Sequence, residues 1–174
     1  MSQRFIALIS LVATAGCATV PTHSVQPLAQ VALFTGDGRA LGTVDLIASS
    51  DGYQLAGTVT GLTPGPHGIH LHATGLCEGP EFTSAGSHLN PGIHQHGSMN
   101  PAGQHLGDLP NLVADQGGTA RLAIELRGTR ADLDQDLFDS DRTALVVHAG
   151  PDDYQTDPSG NSGKRIACGV LKRI

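Results

Sequence analysis

Histidine is the residue type in this chain whose number and spacing could support chemistry. The 174 residues include nine histidines, and eight of them lie between His67 and His148. Neutral imidazole is a preferred ligand of zinc and copper, whereas calcium and magnesium favour sites made only of oxygen atoms. The concentration of histidine therefore indicates a transition-metal site in this part of the chain.

Two histidines in this region, His70 and His72, form an alternating pair within residues 68–72. Along a β-strand, successive side chains point to opposite faces, so His70 and His72 are predicted to share one face. Ile69 and Leu71 then lie on the other face, where a core is expected. The pair alone does not separate a metal site from two exposed histidines that alternate by chance.

A long polar stretch, residues 74–109, adds further donors. It is rich in Gly, Pro, Ser, Asn and His and has little apolar periodicity, so it is predicted to be a loop. Long loops inside compact domains are usually functional. Its candidate ligands are His88, His96, His105 and Asp108, with His94 as an additional histidine. A last candidate, His148, ends a strand-like run much later in the sequence.

The number of candidate ligands indicates more than one metal ion. The candidates are six histidines and one aspartate: His70, His72, His88, His96, His105, His148 and Asp108. Seven side chains are too many for one tetrahedral zinc ion. Two four-coordinate ions need eight donor positions, and one deprotonated imidazole that uses both ring nitrogens would supply the eighth. The count therefore predicts a bridged pair of ions, without identifying the bridging residue.

Short strands separated by turns must position these side chains. Runs with β-branched residues and alternating polarity occupy residues 29–35, 41–48, 53–60, 68–73, 111–114, 119–126, 143–149 and 166–172. Turn signals such as Asp51-Gly52 separate them. No stretch has clean helical periodicity, and the acidic run 132–141 is predicted to be a solvated loop. The pattern favours an all-β domain, an eight-stranded Greek-key β-barrel or sandwich with long loops.

The N-terminus has the pattern of an export signal. Arg4 precedes the apolar run 5–13, which is too short to span a bilayer. Residues 14–17 resemble a lipobox, which predicts lipidation of Cys17, although residues 13–15 also fit ordinary secretory cleavage. The expected divisions are a lipoprotein-type signal peptide at 1–16, a tether at 17–27 and one domain at 28–174.

Charge and cysteine content restrict the partners and the compartment. The formal net charge of -6 argues against binding to nucleic acid. If Cys17 is lipidated, Cys77 and Cys168 remain as a pair. Export would place that pair in an oxidising compartment, where disulfides persist.

Five segments together resemble the copper–zinc superoxide dismutase family, in its exported bacterial form. They are residues 65–72 (GPHGIHLH), 84–91 (SAGSHLNP), 95–109, 146–150 (VVHAG) and 163–170 (GKRIACGV). The segments occur in the order that the family has, and the resemblance covers residues 28–174.

The resemblance implies a role for each matching residue. Copper is expected on His70, His72, His88 and His148, and zinc on His88, His96, His105 and Asp108, with His88 as the bridge. Arg165 matches the catalytic arginine that receives the anion, Asp152 matches an aspartate that links His70 and His96, and Cys77 and Cys168 match a disulfide. His67 matches a buried structural histidine, and His94 has no matching role.

The implied activity converts superoxide anion to dioxygen and hydrogen peroxide in the bacterial cell envelope or periplasm. A lipid at Cys17 would add a membrane anchor, and a homodimer is left open. The alternatives are a copper- and zinc-binding protein of the same fold without turnover, and a copper-only variant, which would lack the zinc ligands.

One departure from the family concerns substrate steering. Many members carry a pair of lysines in the loop before the arginine, but residues 150–163 contain no lysine and do contain Asp152, Asp153 and Asp157. Lys164 compensates in part for this negative charge. The departure predicts a slower encounter with superoxide, with the mechanism unchanged.

Overall fold

The computed structural model describes residues 26–174, and β-strands dominate this part of the chain. The strands are β1 (Ala29–Thr35), β2 (Ala40–Ala48), β3 (Tyr53–Val59), β4 (Gly65–His67), β5 (Ile69–His72), β6 (Leu112–Ala114), β7 (Ala120–Glu125), β8 (Ala144–His148), β9 (Arg165–Val170) and β10 (Lys172–Arg173). One α-helix, α1 (Arg130–Leu137), and a 3-10 turn at Thr83–Ala85 complete the regular structure.

The strands form an antiparallel sheet that curls into a half-barrel, which confirms the predicted all-β class. The order of the main sheet is β5-β8-β9-β1-β2-β3-β7, with β10 beside β1, while β4 and β6 form a separate pair. Strand β1 alternates buried and exposed positions, with Ala29, Val31 and Leu33 on the inner face. The inner faces of the strands bury a core made mainly of leucine and valine.

The predicted strand at 68–73 is shorter than expected and is preceded by a second strand, β4. The break between β4 and β5 falls at Gly68, whose N–H donates to the Gly150 carbonyl at 2.8 Å and whose carbonyl accepts from the His148 N–H at 2.8 Å. A Cβ atom at Gly68 would lie 2.8 Å from the Ser162 Cβ, so only glycine fits there. The chain therefore packs tightly against the loop of residues 150–164 at this point.

The sequence pattern predicted no helix, and this prediction is wrong for residues 130–137, which form α1. The Thr129 side chain caps the helix by accepting from the Asp132 N–H at 3.3 Å. Only Leu133 and Leu137, one turn apart, are buried, so the apolar stripe was too sparse to recognise. The acidic run is not simply solvated either, because Asp134 accepts hydrogen bonds from Tyr53 Oη and Arg173 Nη2, both at 2.9 Å.

The predicted disulfide between Cys77 and Cys168 is present and ties the long loop to β9. Both cysteines pack in a small apolar cluster with Phe82 and Ala85 of the 3-10 turn. The disulfide therefore fixes the part of the loop that faces β8 and β9.

The predicted signal peptide and Cys17 lie outside the described residues. Within residues 26–174, the structure contains no helix with the length and apolar character that crossing a bilayer requires.

Replacing both Cys77 and Cys168 with serine is expected to lower stability. The disulfide spans 91 residues, so the chain-entropy model assigns it about 4–5 kcal/mol. Chemical unfolding of the metal-free proteins should show a lower midpoint for the variant, and adding reductant should lower the wild-type midpoint to the same value. Equal midpoints without reductant would contradict the expectation.

Candidate metal centre

Three adjacent strands, β5, β8 and β9, carry the candidate site residues His70, His72, His148 and Arg165. His70 pairs with Val146 across β5 and β8, and His148 is in register with Arg165 across β8 and β9. Ile69 and Leu71 belong to the core, which confirms the predicted alternation along this strand. The pleat therefore directs His70 and His72 away from the core.

The long loop returns twice to the edge of β5 and brings its donors there. The Leu89 N–H donates to the Leu71 carbonyl at 2.8 Å, and the Leu71 N–H donates to the Gly107 carbonyl at 2.9 Å. A Cβ atom at Gly107 would overlap that Leu71 carbonyl, so glycine is required for this close approach. These contacts place His88 and Asp108 beside the strand histidines.

The first cluster is made of four buried histidines whose candidate ligand atoms lie within 4.8 Å of one another: His70, His72, His88 and His148. Each ring already uses one nitrogen in a hydrogen bond. His72 Nδ1 donates to the Gly86 carbonyl at 3.0 Å, and His148 Nδ1 donates to the Gly163 carbonyl at 3.1 Å. These bonds fix the ring orientations and the tautomers.

The other nitrogen of each ring in the first cluster has no hydrogen-bond partner in the described part of the chain. These four atoms are His70 Nδ1, His72 Nε2, His88 Nε2 and His148 Nε2. Buried polar atoms are rarely left unpaired, because the loss of hydration is not compensated. Four lone pairs that converge in one buried space fit a metal ion, and a donor set of imidazoles alone suits copper or zinc.

The second cluster combines three histidines with one carboxylate: His88, His96, His105 and Asp108. The Nδ1 atoms of His88, His96 and His105 lie 2.8, 2.9 and 3.2 Å from Asp108 Oδ1. Ligands about 2.0 Å from a tetrahedral zinc ion are separated by roughly 3.3 Å. The spacing of these four atoms therefore fits the ligand set of one zinc ion.

Asp152 lies between the two clusters and contacts a histidine of each. Its Oδ2 atom accepts from His70 Nε2 at 2.8 Å, and its Oδ1 atom lies 2.9 Å from His96 Nε2. Asn111 holds the backbone of this aspartate from both sides, with hydrogen bonds of 2.9 and 2.8 Å. Gly160, with a φ of 63°, packs directly on the Asp152 carboxylate, where a Cβ atom would overlap Oδ1.

Arg165 is half-buried next to the first cluster. Its Nη1 and Nη2 atoms donate to the carbonyls of Phe82 at 2.7 Å and Gly86 at 2.6 Å. Burial lowers the pKa of Arg165 from its ordinary value, but a guanidinium group remains charged in proteins. The side chain therefore holds a fixed positive charge beside the four unpaired nitrogens.

Among residues 26–174, two other histidines lie outside both clusters. His67 is buried, with Nδ1 2.8 Å from the His148 carbonyl and Nε2 2.9 Å from the Thr63 carbonyl, and thus braces the end of β8. His94 is exposed on the long loop. Arg127, whose Nη2 donates to the His105 carbonyl, was not predicted from the sequence, because no motif marks this arginine.

The 150–164 loop keeps negative charge near the centre. The exposed Asp153 carboxylate accepts from the Thr156 hydroxyl and from the backbone N–H groups of Thr156 and Gln155. These hydrogen bonds lower the pKa of Asp153 to about 2, so the group is charged at neutral pH. Asp153 thus orders its own turn while it adds negative charge to the surface.

Burial keeps most of the first cluster neutral. Desolvation lowers the pKa of His72 to about 2, that of His148 to about 3 and that of His88 to about 4. For His96, desolvation is outweighed by hydrogen bonds to Asp108 and Asp152, which raise the pKa to about 9. In the metal-free protein, His96 is therefore a cation held between two carboxylates.

The stability of the metal-free protein is expected to be greatest near pH 6.5. Below this pH the unfolded chain protonates His72, His88 and His148, while the folded protein keeps them neutral. Each of these histidines therefore lowers the free energy of unfolding by about 1.4 kcal/mol per pH unit as the pH falls toward its folded-state pKa. Above it, the folded protein still holds the His96 proton that the unfolded chain has lost, and stability falls toward pH 9.

Urea unfolding of the metal-free protein between pH 4.5 and 9 would test this profile. A variant with Gln at the exposed His94 is the matched control and should keep the same profile. Constant stability between pH 7 and pH 5 would contradict the expectation.

Comparison with known proteins identifies relatives of this arrangement. The family model described as copper/zinc superoxide dismutase matches residues 40–171. A superoxide dismutase [Cu-Zn] of Aquifex aeolicus is 40% identical over 147 residues, which are 83% of this chain and 86% of the relative. A superoxide dismutase [Cu-Zn] of Caulobacter vibrioides is 41% identical over 143 residues, 79% of this chain and 81% of the relative.

A solved structure shares the fold. The crystal structure of a SOD-like protein from Bacillus subtilis superposes with a TM-score of 0.75 at 36% identity, covering 82% of this chain and 97% of that one. The matched residues include both clusters, so the prediction of copper and zinc as cofactors is confirmed at the level of the family. The chain belongs to the copper/zinc superoxide dismutase family.

Proposed function

We propose that this protein is a superoxide dismutase, in which His70, His72, His88 and His148 hold copper and His88, His96, His105 and Asp108 hold zinc. The observation that carries the proposal is the convergence of four unpaired ring nitrogens in a buried space beside Arg165. A purely structural cluster of histidines would satisfy these nitrogens with hydrogen bonds.

His88 is proposed to bridge the two ions. It is the residue common to both clusters, with Nε2 among the unpaired nitrogens of the first and Nδ1 2.8 Å from Asp108 Oδ1 in the second. An imidazole that presents one nitrogen to each site supplies the eighth donor position that the ligand count required.

The overall reaction needs an electron store, a docking charge and protons. One superoxide gives up an electron and leaves as dioxygen, and a second takes up that electron with two protons and leaves as hydrogen peroxide. Copper, when bound, supplies the one-electron redox chemistry. Arg165 binds the small anion by its fixed charge, since both of its bonded carbonyls hold the guanidinium in place.

His88 is proposed to deliver a proton at Nε2. Burial lowers the pKa of this imidazole to about 4 in the metal-free protein, so the ring is neutral at pH 7 and its unpaired Nε2 can carry a lone pair. Its Nδ1 side is fixed at Asp108, which keeps Nε2 directed toward the first cluster. The ring can then take up a proton from solvent at Nε2 and donate it to the reduced product.

The second candidate is a copper- and zinc-binding protein without turnover. The similarity to the Bacillus subtilis protein, which is described as SOD-like, favours keeping this alternative. Retention of all seven candidate ligands and of Arg165 favours the enzyme, because storage of metal does not require a charged anion site.

Export to a bacterial envelope is part of the proposal. The leader-like N-terminal sequence and the disulfide between Cys77 and Cys168 support it, since disulfides persist in oxidising compartments. Lipidation of Cys17 remains a prediction from the sequence, which leaves a homodimer open.

Dismutation should be measured on the purified mature domain, with copper and zinc quantified on the same sample. We expect activity to scale with copper content and to disappear when copper is chelated. No activity with both metals fully loaded would refute the enzyme and favour the metal-binding protein.

Two substitutions separate metal binding from anion binding. Replacing His148 with alanine should abolish copper binding and activity, while Arg165→Ala should retain both metals and lose at least tenfold in rate, because the docking charge is gone. Arg165→Lys, which keeps the charge, is the matched control and should recover part of the rate. Full activity of Arg165→Ala would exclude the proposed role.

A further inference from the structure

His96 is held by the 150–164 loop at two separate points. Its ring nitrogen Nε2 lies 2.9 Å from Asp152 Oδ1, and its backbone N–H donates to Asp157 Oδ1 at 2.7 Å. The two aspartates are five residues apart, so one loop fixes both the backbone and the ring of this histidine. His96 itself is fully buried.

We propose that Asp157 is a positioning residue of the zinc-binding half of the centre, acting through its hydrogen bond to the backbone N–H of His96. The proposal rests on the proposed function for the identity of the zinc ligands. Asp157 is not among the candidate ligands of either cluster, and its contribution is to hold the main chain of one ligand.

Neighbouring contacts support a tight connection between this loop and the long loop. The Met99 N–H donates to the Tyr154 carbonyl at 2.9 Å. Gly97, with a φ of 99°, lies directly under that carbonyl, where a Cβ atom would overlap it. Its N–H donates to Asp108 Oδ2 at 2.9 Å. The segment that follows His96 is thus confined between Tyr154 and Asp108.

The burial of His96 makes its backbone N–H dependent on the Asp157 carboxylate as a hydrogen-bond acceptor. Asp157 is on an exposed stretch of the loop, but the N–H that it accepts belongs to a buried residue. Removing the acceptor leaves this donor to pair with water or to move, and in either case the main chain of His96 is free to shift. Such a movement would shift Nδ1 from its position 2.9 Å from Asp108 Oδ1.

The same loop also reaches the first cluster. His148 Nδ1 donates to the Gly163 carbonyl at 3.1 Å, and Asp152 Oδ2 accepts from His70 at 2.8 Å. The hydrogen bond between Asp157 and the His96 N–H orders this loop and therefore supports the orientation of candidate ligands in both clusters. We expect its main effect on zinc, because Asp157 contacts His96 directly.

The test uses three variants of the mature domain: Asp157→Ala, Asp157→Asn and Asp153→Ala. The affinity for Zn²⁺ is measured by competition with a chromophoric chelator, and the visible spectrum of the Co²⁺-substituted protein reports the geometry of the zinc ligands. Asp157→Ala is expected to weaken Zn²⁺ binding by roughly tenfold to hundredfold and to alter the Co²⁺ spectrum.

The other two variants distinguish the hydrogen bond from charge and from general loosening of the loop. Asparagine removes the charge but keeps an acceptor oxygen, so Asp157→Asn should recover most of the affinity. Asp153 orders its own turn without contacting His96, so Asp153→Ala should leave the Co²⁺ spectrum unchanged.

Three results would overturn the inference: wild-type affinity in Asp157→Ala, an equal loss in Asp157→Asn, or an equal loss in Asp153→Ala. The readouts do not involve turnover, so they are independent of the proposed activity. Tight Zn²⁺ binding without dismutation by the protein fully loaded with copper and zinc would refute the enzyme alone. Absence of Zn²⁺ binding in the wild-type domain would refute the zinc site and the role of Asp157 together.

Discussion

The pairing of the long loop with the edge of β5 is the constraint on which the centre depends. A sheet edge presents unpaired N–H and C=O groups, and here residues 87–89 and 107 occupy them. The same hydrogen bonds that close the edge carry His88 and Asp108 to the strand histidines. The loop has little apolar sequence of its own, so its position follows from this backbone pairing, from the disulfide and from glycines that allow close approach.

Electrostatics then divides the seven side chains into two environments. The first cluster contains no carboxylate, and desolvation keeps His72 and His148 neutral with lone pairs available. The second cluster places His96 between Asp108 and Asp152, whose own pKa values are held below their usual range because hydrogen bonds from histidines outweigh burial. The first cluster thus offers neutral donors and the second includes an anion, although the two lie within a few ångströms of each other and share His88.

Much of this arrangement could be predicted from the sequence because it follows from local rules. Alternation placed His70 and His72 on one face, and the concentration of donors in residues 74–109 identified the loop. Helix α1 was not predicted because its apolar periodicity is weak. Tertiary contacts through Leu133, Leu137 and Asp134 stabilise it instead. Contacts such as Arg127 to the His105 carbonyl and Asn111 to the Asp152 backbone join residues far apart in sequence, so no spacing could reveal them.

The Gly86 carbonyl accepts hydrogen bonds from both His72 Nδ1 and Arg165 Nη2. One oxygen atom is therefore the common reference point for a proposed metal ligand and for the guanidinium that is proposed to bind the anion. Because both donors bind the same oxygen, the two hydrogen bonds of 3.0 and 2.6 Å limit the separation between the His72 ring and the guanidinium. The φ of 74° at this residue means that glycine is what permits the shared acceptor. The distance between the two side chains is thus set through a single backbone atom of the loop.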